Sequence, residues 1–455
     1  MEIRHQVIVV GAGPAGLNAA NSAAKAGCEV GLIDSAYRLG GQYWRHSGVA
    51  DFDDSMHHNF KKASQLMDQV RSNPRIHIYS QKTIWSASVI GGEIILRMVD
   101  GTLITTKLIL ATGAYDRSIP FPGWDIPGVM TAGAAQSLLK GSGVLAGKKI
   151  VVAGSGPFLL PVAAGLNLHQ GEVIKILEAT SAFAWRKGLW ALLQNPKKMV
   201  EALSYLKTIR KYQTSTRFRQ AIVEAQAGPD GLLKSVKVAH LDSEFRVRST
   251  YFLECDLAAI GWGFTPDTSL AALLSVKQVV DIDGSVKVEV DELQRAQTPH
   301  AGVEIFAAGE ITGVGGSDLA LLEGEIAGLA AANSLGSLNK LKRQRRRAQK
   351  FSRALQKVYA IPLGWKSWLT PDSLICRCEE VSYDNINRAI EDYGVTDLRG
   401  IKLMTRCGMG LCQGRICSRA ISDLVDSSDS DRIGSSKRPI ISPITFGELA
   451  TEGLL

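Results

Sequence analysis

The chain has 455 residues, of which 21% are charged, with a net charge of +8 and seven cysteines. Its mean hydropathy of +0.03 and its length fit a globular protein of about three domains with a large core, and exclude disordered and fibrous classes. No apolar run reaches the length of a membrane span and the N-terminus enters a strand almost at once, so we expect a cytoplasmic protein, with any contact to the inner membrane peripheral.

The first signal along the chain is residues 6–34. Residues 7–10 are an apolar β-branched run, the pattern of a buried parallel strand. Gly11, Gly13 and Gly16 follow at G-x-G-x-x-G spacing, with Pro14 and Ala15 between them. The first glycine lets the chain turn out of the strand, the second lets the backbone approach a pyrophosphate, and the third lets the helix pack against the strand. That helix aims its N-terminal amides at the phosphates. A second strand, 29–33, ends at Asp34, placed to accept a hydrogen bond from an adenosine ribose hydroxyl, with Ser35 beside it. Strand, glycines, helix, strand and acid stand in order, which favours dinucleotide binding over a structural turn. In residues 39–45 (LGGQYWR) Gly41 and Gln42 form a tight loop beside the phosphates. With no Cys-x-x-Cys or Cys-x4-Cys near this unit, disulfide-type redox chemistry is not expected.

Residues 103–110 read as a strand running into Ala111, Thr112, Gly113 and Ala114. This resembles the ATG motif at which two-dinucleotide-domain flavoproteins leave the FAD domain. Pro120, Pro122, Gly123 and Pro127 make an irregular crossover. Residues 149–178 then repeat the first unit, with Gly154, Gly156 and the strand-end acid Glu178, but Leu159 stands at the third glycine position and Pro161 in the first turns of the helix. A leucine there pushes the helix away from the loop, so a fold that no longer binds NAD(P)H is preferred over a working nucleotide site. Residues 185–212 read as a helical insertion in which Trp185, Trp190, Leu193, Met199, Leu203, Leu206 and Ile209 are apolar. Packing inside the chain is the default for them, and an interface with another chain the alternative.

Residues 255–266 return the chain to the first domain, and 298–310 complete it. A strand ending in Ala-Ala-Gly-acid sets a carboxylate against the ribityl chain of FAD. Here the pair is Gly309 and Glu310, with Glu where Asp is usual. The helix over 319–332 aims its N-terminus at the isoalloxazine ring. Residues 340–357 hold nine Lys/Arg and no acid, and without them the chain is close to neutral, so the charge is local and does not indicate nucleic-acid binding. A solvated amphipathic linker helix is preferred there over a membrane-docking one.

Cys28 and Cys255 sit in apolar strand surroundings and read as buried thiols. Cys376, Cys378, Cys407, Cys412 and Cys417 crowd into one short C-terminal segment, which in a cytosolic chain points to metal. Four thiolates hold a [2Fe–2S] cluster. Cys376 and Cys378 supply two from a Cys-x-Cys turn, and Cys412 and Cys417 supply two from a glycine-rich loop entering a helix. Cys407 is left out, because the longer spacing from Cys378 to Cys412 is typical of this motif class. Zinc is the competing metal, but its knuckles more often use Cys-x2–4-Cys.

GAGPAG, GGQYWR, ATGAYDRSIPFPG, VVAGSGPFLLPVA, FAAGEITGVGG and CRCEEV…GMGLCQGRIC, in this order, resemble the large FAD-containing α subunit of heteromeric bacterial amino-acid dehydrogenases. That family includes subunits of opine oxidase and of hydrogen cyanide synthase, and the α subunits of dye-linked proline or hydroxyproline dehydrogenases. The resemblance covers nearly the whole chain and ends in a ferredoxin-like domain of the bacterioferritin-associated type. It implies a β subunit, carrying its own FAD, that oxidises the C–N bond, and room for an FMN at the subunit interface and for a small third subunit. It implies that this chain relays electrons to a quinone or dye.

The fold class expected is α/β: two Rossmann-like dinucleotide-binding domains, as in a pyridine nucleotide-disulfide reductase core, plus a small helical C-terminal [2Fe–2S] domain. The expected bounds are 1–118 with 292–335 for the FAD-binding domain and 119–291 for the second domain with its helical insertion 181–215. A basic linker helix over 336–370 and the cluster domain with its tail over 371–455 complete the chain. No His, Ser or Cys stands out as an acid–base or nucleophilic constellation, so the cofactors carry the redox chemistry. The competing functions are a self-contained NAD(P)H-dependent flavin/[2Fe–2S] reductase and a non-enzymatic iron–sulfur sensor or scaffold.

Overall fold

The computed structural model describes residues 2–57, 60–187, 196–336, 338–434 and 438–451. The chain forms two compact units, one made of Met1–Tyr115, Thr265–Arg353 and Ile433–Leu455, the other of Asp116–Phe264 and Ala354–Arg432.

The first unit is built on a six-stranded sheet. In spatial order its strands are Arg295–Ala296, Glu304–Ala307, Lys107–Leu110, Val7–Val10, Val30–Asp34 and Ile76–Ser80. All neighbours are parallel except the outermost pair, Arg295–Ala296 on Glu304–Ala307. The central strand Val7–Val10 is flanked on both sides, which is why it reads as an unbroken apolar run and not an alternating one. Helix Pro14–Lys25 covers one face and buries almost every residue of its first two turns. Helix Ser317–Ala331 lies directly on it: a Cβ at Gly324 would run into the carbonyl oxygen of Ala15, and one at Gly328 into that of Ala19. The two helices thus meet backbone to backbone. A four-stranded sheet, Glu2–Arg4, Gly101–Thr105, Glu93–Met98 and Ile84–Ile90, completes the unit.

The second unit repeats the plan with a five-stranded parallel sheet in the order Val129–Thr131, Leu257–Gly261, Lys149–Gly154, Glu172–Glu178 and Ser215–Phe218. An antiparallel meander of Gln220–Ala227, Leu233–Leu241 and Val247–Glu254 packs beside it. The insertion has a 3-10 turn over Ala182–Lys187 and a helix over Pro196–Lys211. Trp190 and Leu193 lie outside the described residues. Of the other insertion residues, Ile209 is buried, whereas Leu203 and Leu206 are exposed.

The cysteine-bearing segment belongs to the second unit and shares its core. Trp365, fully buried, and Trp368 and Ala420 join one cluster with Phe121, Val151, Leu177 and Val238. Trp368 Nε1 donates to the Phe245 carbonyl at 2.9 Å, and its ring lies 5.9 Å from that of Trp262. Trp124 Nε1 donates to the Leu374 carbonyl at 2.6 Å, and Arg377 lies over the Trp124 ring. At the centre, buried Asp423 accepts from Arg117 Nη2 at 3.0 Å, Arg419 Nε at 3.2 Å and Arg432 Nη1 at 3.3 Å. No helix among the described residues is long and apolar enough to cross a membrane.

Asp423→Ala removes the carboxylate on which three guanidinium groups converge. Breaking a buried pair from one side costs about 3–5 kcal/mol, so denaturant titration of this variant should show the second unit melting early. A loss below about 1 kcal/mol, the scale of an exposed pair, would show that this ion pair does not hold the segment in place.

Candidate functional site

In the first unit the fingerprint glycines separate by what they touch. A Cβ on Gly11 would overlap the Ala111 carbonyl, and one on Gly16 the Gly11 carbonyl, whereas one on Gly13 would meet no protein atom within 4 Å. Gly11 and Gly16 are therefore required by the fold itself, and Gly13 borders open space. Pro14 and Ala15 are buried in the first turn of the helix that Gly13 caps, so its free amides face that space. Asp34 holds the loop with both carboxylate oxygens, accepting from the Ala12 amide at 2.5 Å and the Ala36 amide at 2.7 Å. Ser35 is exposed beside it. Gly41 lies against Gly13, since a Cβ there would come within 2.8 Å of the Gly13 Cα, and exposed Gln42 accepts from Arg45 Nε. Ala111 donates its amide to the Val10 carbonyl, Thr112 Oγ1 donates to the Asp267 carbonyl at 2.6 Å, and the Gly113 carbonyl accepts from the Asp267 amide at 3.0 Å.

Gly309 sits at the C-terminal end of strand Glu304–Ala307, and Glu310 follows. Glu310 Oε1 accepts from the amides of Gly316 at 2.7 Å and Gly315 at 3.4 Å, while Oε2 is buried with no protein partner among the described residues. Burial pushes its carboxyl up to about 7. The extra methylene of Glu over Asp leaves one oxygen on the loop and one aimed elsewhere. Two residues that local reading missed fix this turn. Buried Glu323 accepts from the Gly309 amide at 3.0 Å and from Thr312 Oγ1 at 2.8 Å through Oε2, and from Arg345 Nε at 3.3 Å through Oε1. Arg345 lies on helix Leu338–Val358, and Ser352 of that helix donates to the Val314 carbonyl. The basic helix leaves Arg343, Arg346 and Arg347 exposed, as an amphipathic solvated helix does, and Arg345 on its inner face anchors it to this turn. An acid inside the otherwise apolar run 319–331 was the available signal. The open side of Gly13 and the unpartnered Glu310 oxygen are what an FAD pyrophosphate and ribityl chain require, so these residues fit the cofactor.

The second fingerprint ties its strand-end acid to its own loop, as the first does. Glu178 is buried and accepts from the amides of Gly156 at 3.0 Å and Thr180 at 2.9 Å and from Thr180 Oγ1 at 2.9 Å. Leu159 is buried against Gly261, and the helix begins only at Leu159, two positions later than its counterpart Pro14 would dictate. Phe158 packs its ring on Phe264 at 5.0 Å.

The C-terminal cysteines come together from three elements. Cys376 ends strand Leu374–Cys376, Cys407 follows helix Leu398–Thr405, and Cys417 caps helix Ser418–Leu424. These three sulfurs lie within 4.8 Å of one another, all buried. Cys378 is exposed and Cys412 half-buried. A Cβ at Gly410 would strike the Cys378 Cβ, so the loop leading to Cys412 lies on Cys378. Hydrogen bonds from Cys407 and Cys417 pull the Cys376 thiol down, while the contact with Cys376 and burial push Cys417 up. A sulfur-rich pocket of this kind fits an iron–sulfur cluster. Cys407, left out of the expected ligand set, is drawn into the buried group.

Two dinucleotide-binding plans in tandem and a cysteine centre define a flavoprotein of the two-domain reductase class with an appended iron–sulfur domain. The chain belongs to the pyridine nucleotide-disulphide oxidoreductase family, whose model matches residues 5–336, and a BFD-like [2Fe–2S] binding domain matches residues 374–427. It is 31% identical to hydrogen cyanide synthase subunit HcnB of Pseudomonas protegens, over 91% of each chain. It is 29% identical to an opine oxidase subunit of Rhizobium meliloti, over 97% of this chain and 98% of that one. Its fold is that of the L-proline dehydrogenase structure from P. horikoshii (TM-score 0.68, 19% identity, 98% of this chain and 80% of that one).

Two outcomes test the cradle. Gly13→Val should leave the melting temperature of the FAD-free protein within a few degrees of wild type and abolish flavin retention, whereas Gly16→Val should unfold the first unit. Full flavin occupancy in Gly13→Val would remove the pyrophosphate assignment. Glu310, with a folded pKa of about 7 against an ordinary 4.5, stabilises the FAD-free fold fully below pH 4.5 and loses that contribution as pH rises through 7. Glu310→Gln should therefore flatten the decline in melting temperature between pH 5 and 8, and an unchanged slope would show that this carboxyl does not titrate there.

Proposed function

We propose that this chain is the electron-transferring flavoprotein/iron–sulfur subunit of a heteromeric amino-acid dehydrogenase of the opine, proline/hydroxyproline or glycine type. One observation carries the reading: a dinucleotide cradle and a cysteine centre share one chain, and the relatives it matches over nearly their whole length are named as subunits. We assign FAD to Gly11, Gly13, Pro14, Ala15, Gly16, Asp34, Ser35, Gly41, Gln42, Ala111, Thr112, Gly113, Gly309 and Glu310, within 1–118 and 292–335. We assign the [2Fe–2S] cluster to Cys376, Cys378, Cys412 and Cys417, within 371–455.

When bound, these groups supply the electron-transfer chemistry, and the protein binds and orients them. The helix capped by Gly13 presents amides to the pyrophosphate, Asp34 and Glu323 stiffen the two loops that border it, and Glu310 holds the ribityl chain. The amino acid is oxidised at its C–N bond in a β subunit with its own FAD, and a quinone or dye takes the electrons. An FMN at the subunit interface and a small third subunit complete the assembly, which works in the cytoplasm or at the inner membrane surface. NAD(P)H has no part, because Leu159 keeps the helix from the close approach that a pyrophosphate needs.

The test is anaerobic mixing. The isolated chain should keep its flavin oxidised with excess NADH or NADPH, and should bleach once the co-expressed partner and its amino acid are added. Rapid bleaching by either nucleotide alone would replace this reading with a self-contained NAD(P)H reductase.

A further inference from the structure

Helix Pro196–Lys211 of the second unit turns leucines towards water. Its inner side packs on helix Leu159–Leu168 and carries buried Ile209. The one acid of the helix, Glu201, is half-buried and accepts from Lys198 Nζ at 2.8 Å. The outer side carries Val200, Leu203 and Leu206, which are 62%, 61% and 45% exposed, together with exposed Lys207, Arg210 and Lys211. Residues three or four apart are neighbours on a helix surface, so the apolar three form one stripe. Lys207 lies one turn from Leu203, Arg210 one turn from Leu206, and Lys211 one turn from Lys207. Among the described residues none of these three cations forms an ion pair; Lys211 lies over the Tyr212 ring. The helix sits at the margin of its sheet, because the strand that follows, Ser215–Phe218, is the outermost of the five.

In water this arrangement is a net cost. Exposed leucines gain nothing from burial, and like charges one turn apart repel. A surface that takes the leucines out of water and neutralises the cations turns both costs into gains, so the occupant is anionic and apolar at once.

The pattern separates three such surfaces. A second copy of this chain in two-fold contact would set the patch against itself, cation on cation. A folded partner protein favours an apolar centre with its charges at the rim, and lysine is depleted from that centre. Here Lys207 and Arg210 stand among the leucines, and docking on such a centre would bury them away from water. A lipid surface offers phosphates at one level and acyl carbon just beneath. A helix already seated on protein meets that surface with its outer arc alone, so apolar and cationic residues must share the arc. The long stems of Lys and Arg lie along the apolar layer and return their charges to the headgroups.

We propose that the outer face of helix Pro196–Lys211 docks this chain on an anionic lipid bilayer, with Val200, Leu203 and Leu206 entering the boundary between headgroups and acyl chains and Lys207, Arg210 and Lys211 on lipid phosphates. Its purpose rests on the reading above, in which a quinone takes the electrons, because a quinone dissolves in that bilayer. The surface itself is a property of this chain alone.

The experiment sediments the flavin-loaded full chain with sucrose-filled vesicles of phosphatidylcholine, with or without phosphatidylglycerol. The chain should pellet with the anionic vesicles at low salt, stay in solution with phosphatidylcholine alone, and be released by high salt. Lys207→Gln, Arg210→Gln and Lys211→Gln should each lower the partition about fivefold, and the double variant Leu203→Ser with Leu206→Ser about tenfold or more. All five side chains are exposed, so circular dichroism and flavin absorbance should match wild type. Arg343→Gln with Arg347→Gln, on the basic helix Leu338–Val358, should leave the partition nearly unchanged. Binding that follows this second pair and ignores the helix variants would overturn the proposal. So would full binding by the double leucine variant, which would reduce the effect to diffuse charge attraction. No pelleting of wild type with anionic vesicles would overturn it too, and loss of the co-expressed partner chain from the double leucine variant would then make the face a subunit interface. Reduction of a soluble dye by the complex and its amino acid should persist in every variant. Its absence in wild type would count against the electron-transfer reading, whereas lost vesicle binding with dye reduction intact concerns the docking face alone.

Discussion

The buried carboxylate of Asp423 is the constraint on which the placement of the cysteine centre depends. An ionised group in a core is tolerated only where opposite charge and hydrogen bonds surround it, and Asp423 has Arg117, Arg419 and Arg432 on its two oxygens. Arg419 and Arg432 are local to it in sequence, but Arg117 is 306 residues away, on the segment that begins the second unit. Apolar contacts such as Trp262 on Trp368 add cohesion without much direction. The guanidinium–carboxylate contact has a fixed geometry, so it selects one seating of the C-terminal helix on the second sheet. An electron carrier needs that selection, since its cofactor must stay at a constant distance from whatever it exchanges electrons with.

The two dinucleotide units show how one backbone plan is kept while its chemistry diverges. Both retain the glycine that ends the first strand, because in both a Cβ would collide with a neighbouring carbonyl, Ala111 in one and Gly261 in the other. They part at the third glycine position. Gly16 lets the first helix sit on the Gly11 carbonyl and start at Pro14, whereas Leu159 occupies that space with its own side chain. The first helix begins at Pro14, inside its glycine turn, and the second at Leu159, after it.

Features set by local rules were legible in the sequence. Gly11 and Gly16 obey steric demands within a few residues, the strand run 7–10 has a clear period, and the five late cysteines stand out by crowding alone. Features set by long-range pairing were not. Glu323 and Arg345 look like an ordinary helical acid and one member of a basic run, and only the fold brings them together under the Gly309 turn. The solvated face of the basic helix was thus readable, and the inward arginine on its other face was not. Gly324 and Gly328 carried a spacing that signals close helix contact, but nothing local named Ala15 and Ala19 as the partners. Cys407 was set aside on spacing, which says which cysteines can be ligands and nothing about which sulfurs a helix end delivers beside them.

Glu178 and Asp34 hold their loops in the same way, each accepting from an amide of its glycine turn and from the amide two residues further on. Removing either carboxylate would strand donors that the fold has already committed, at about 1–3 kcal/mol each where they are buried. The acid at the end of each second strand is therefore under selection for the stability of the loop itself. Such a residue would outlast any change in what binds beside it.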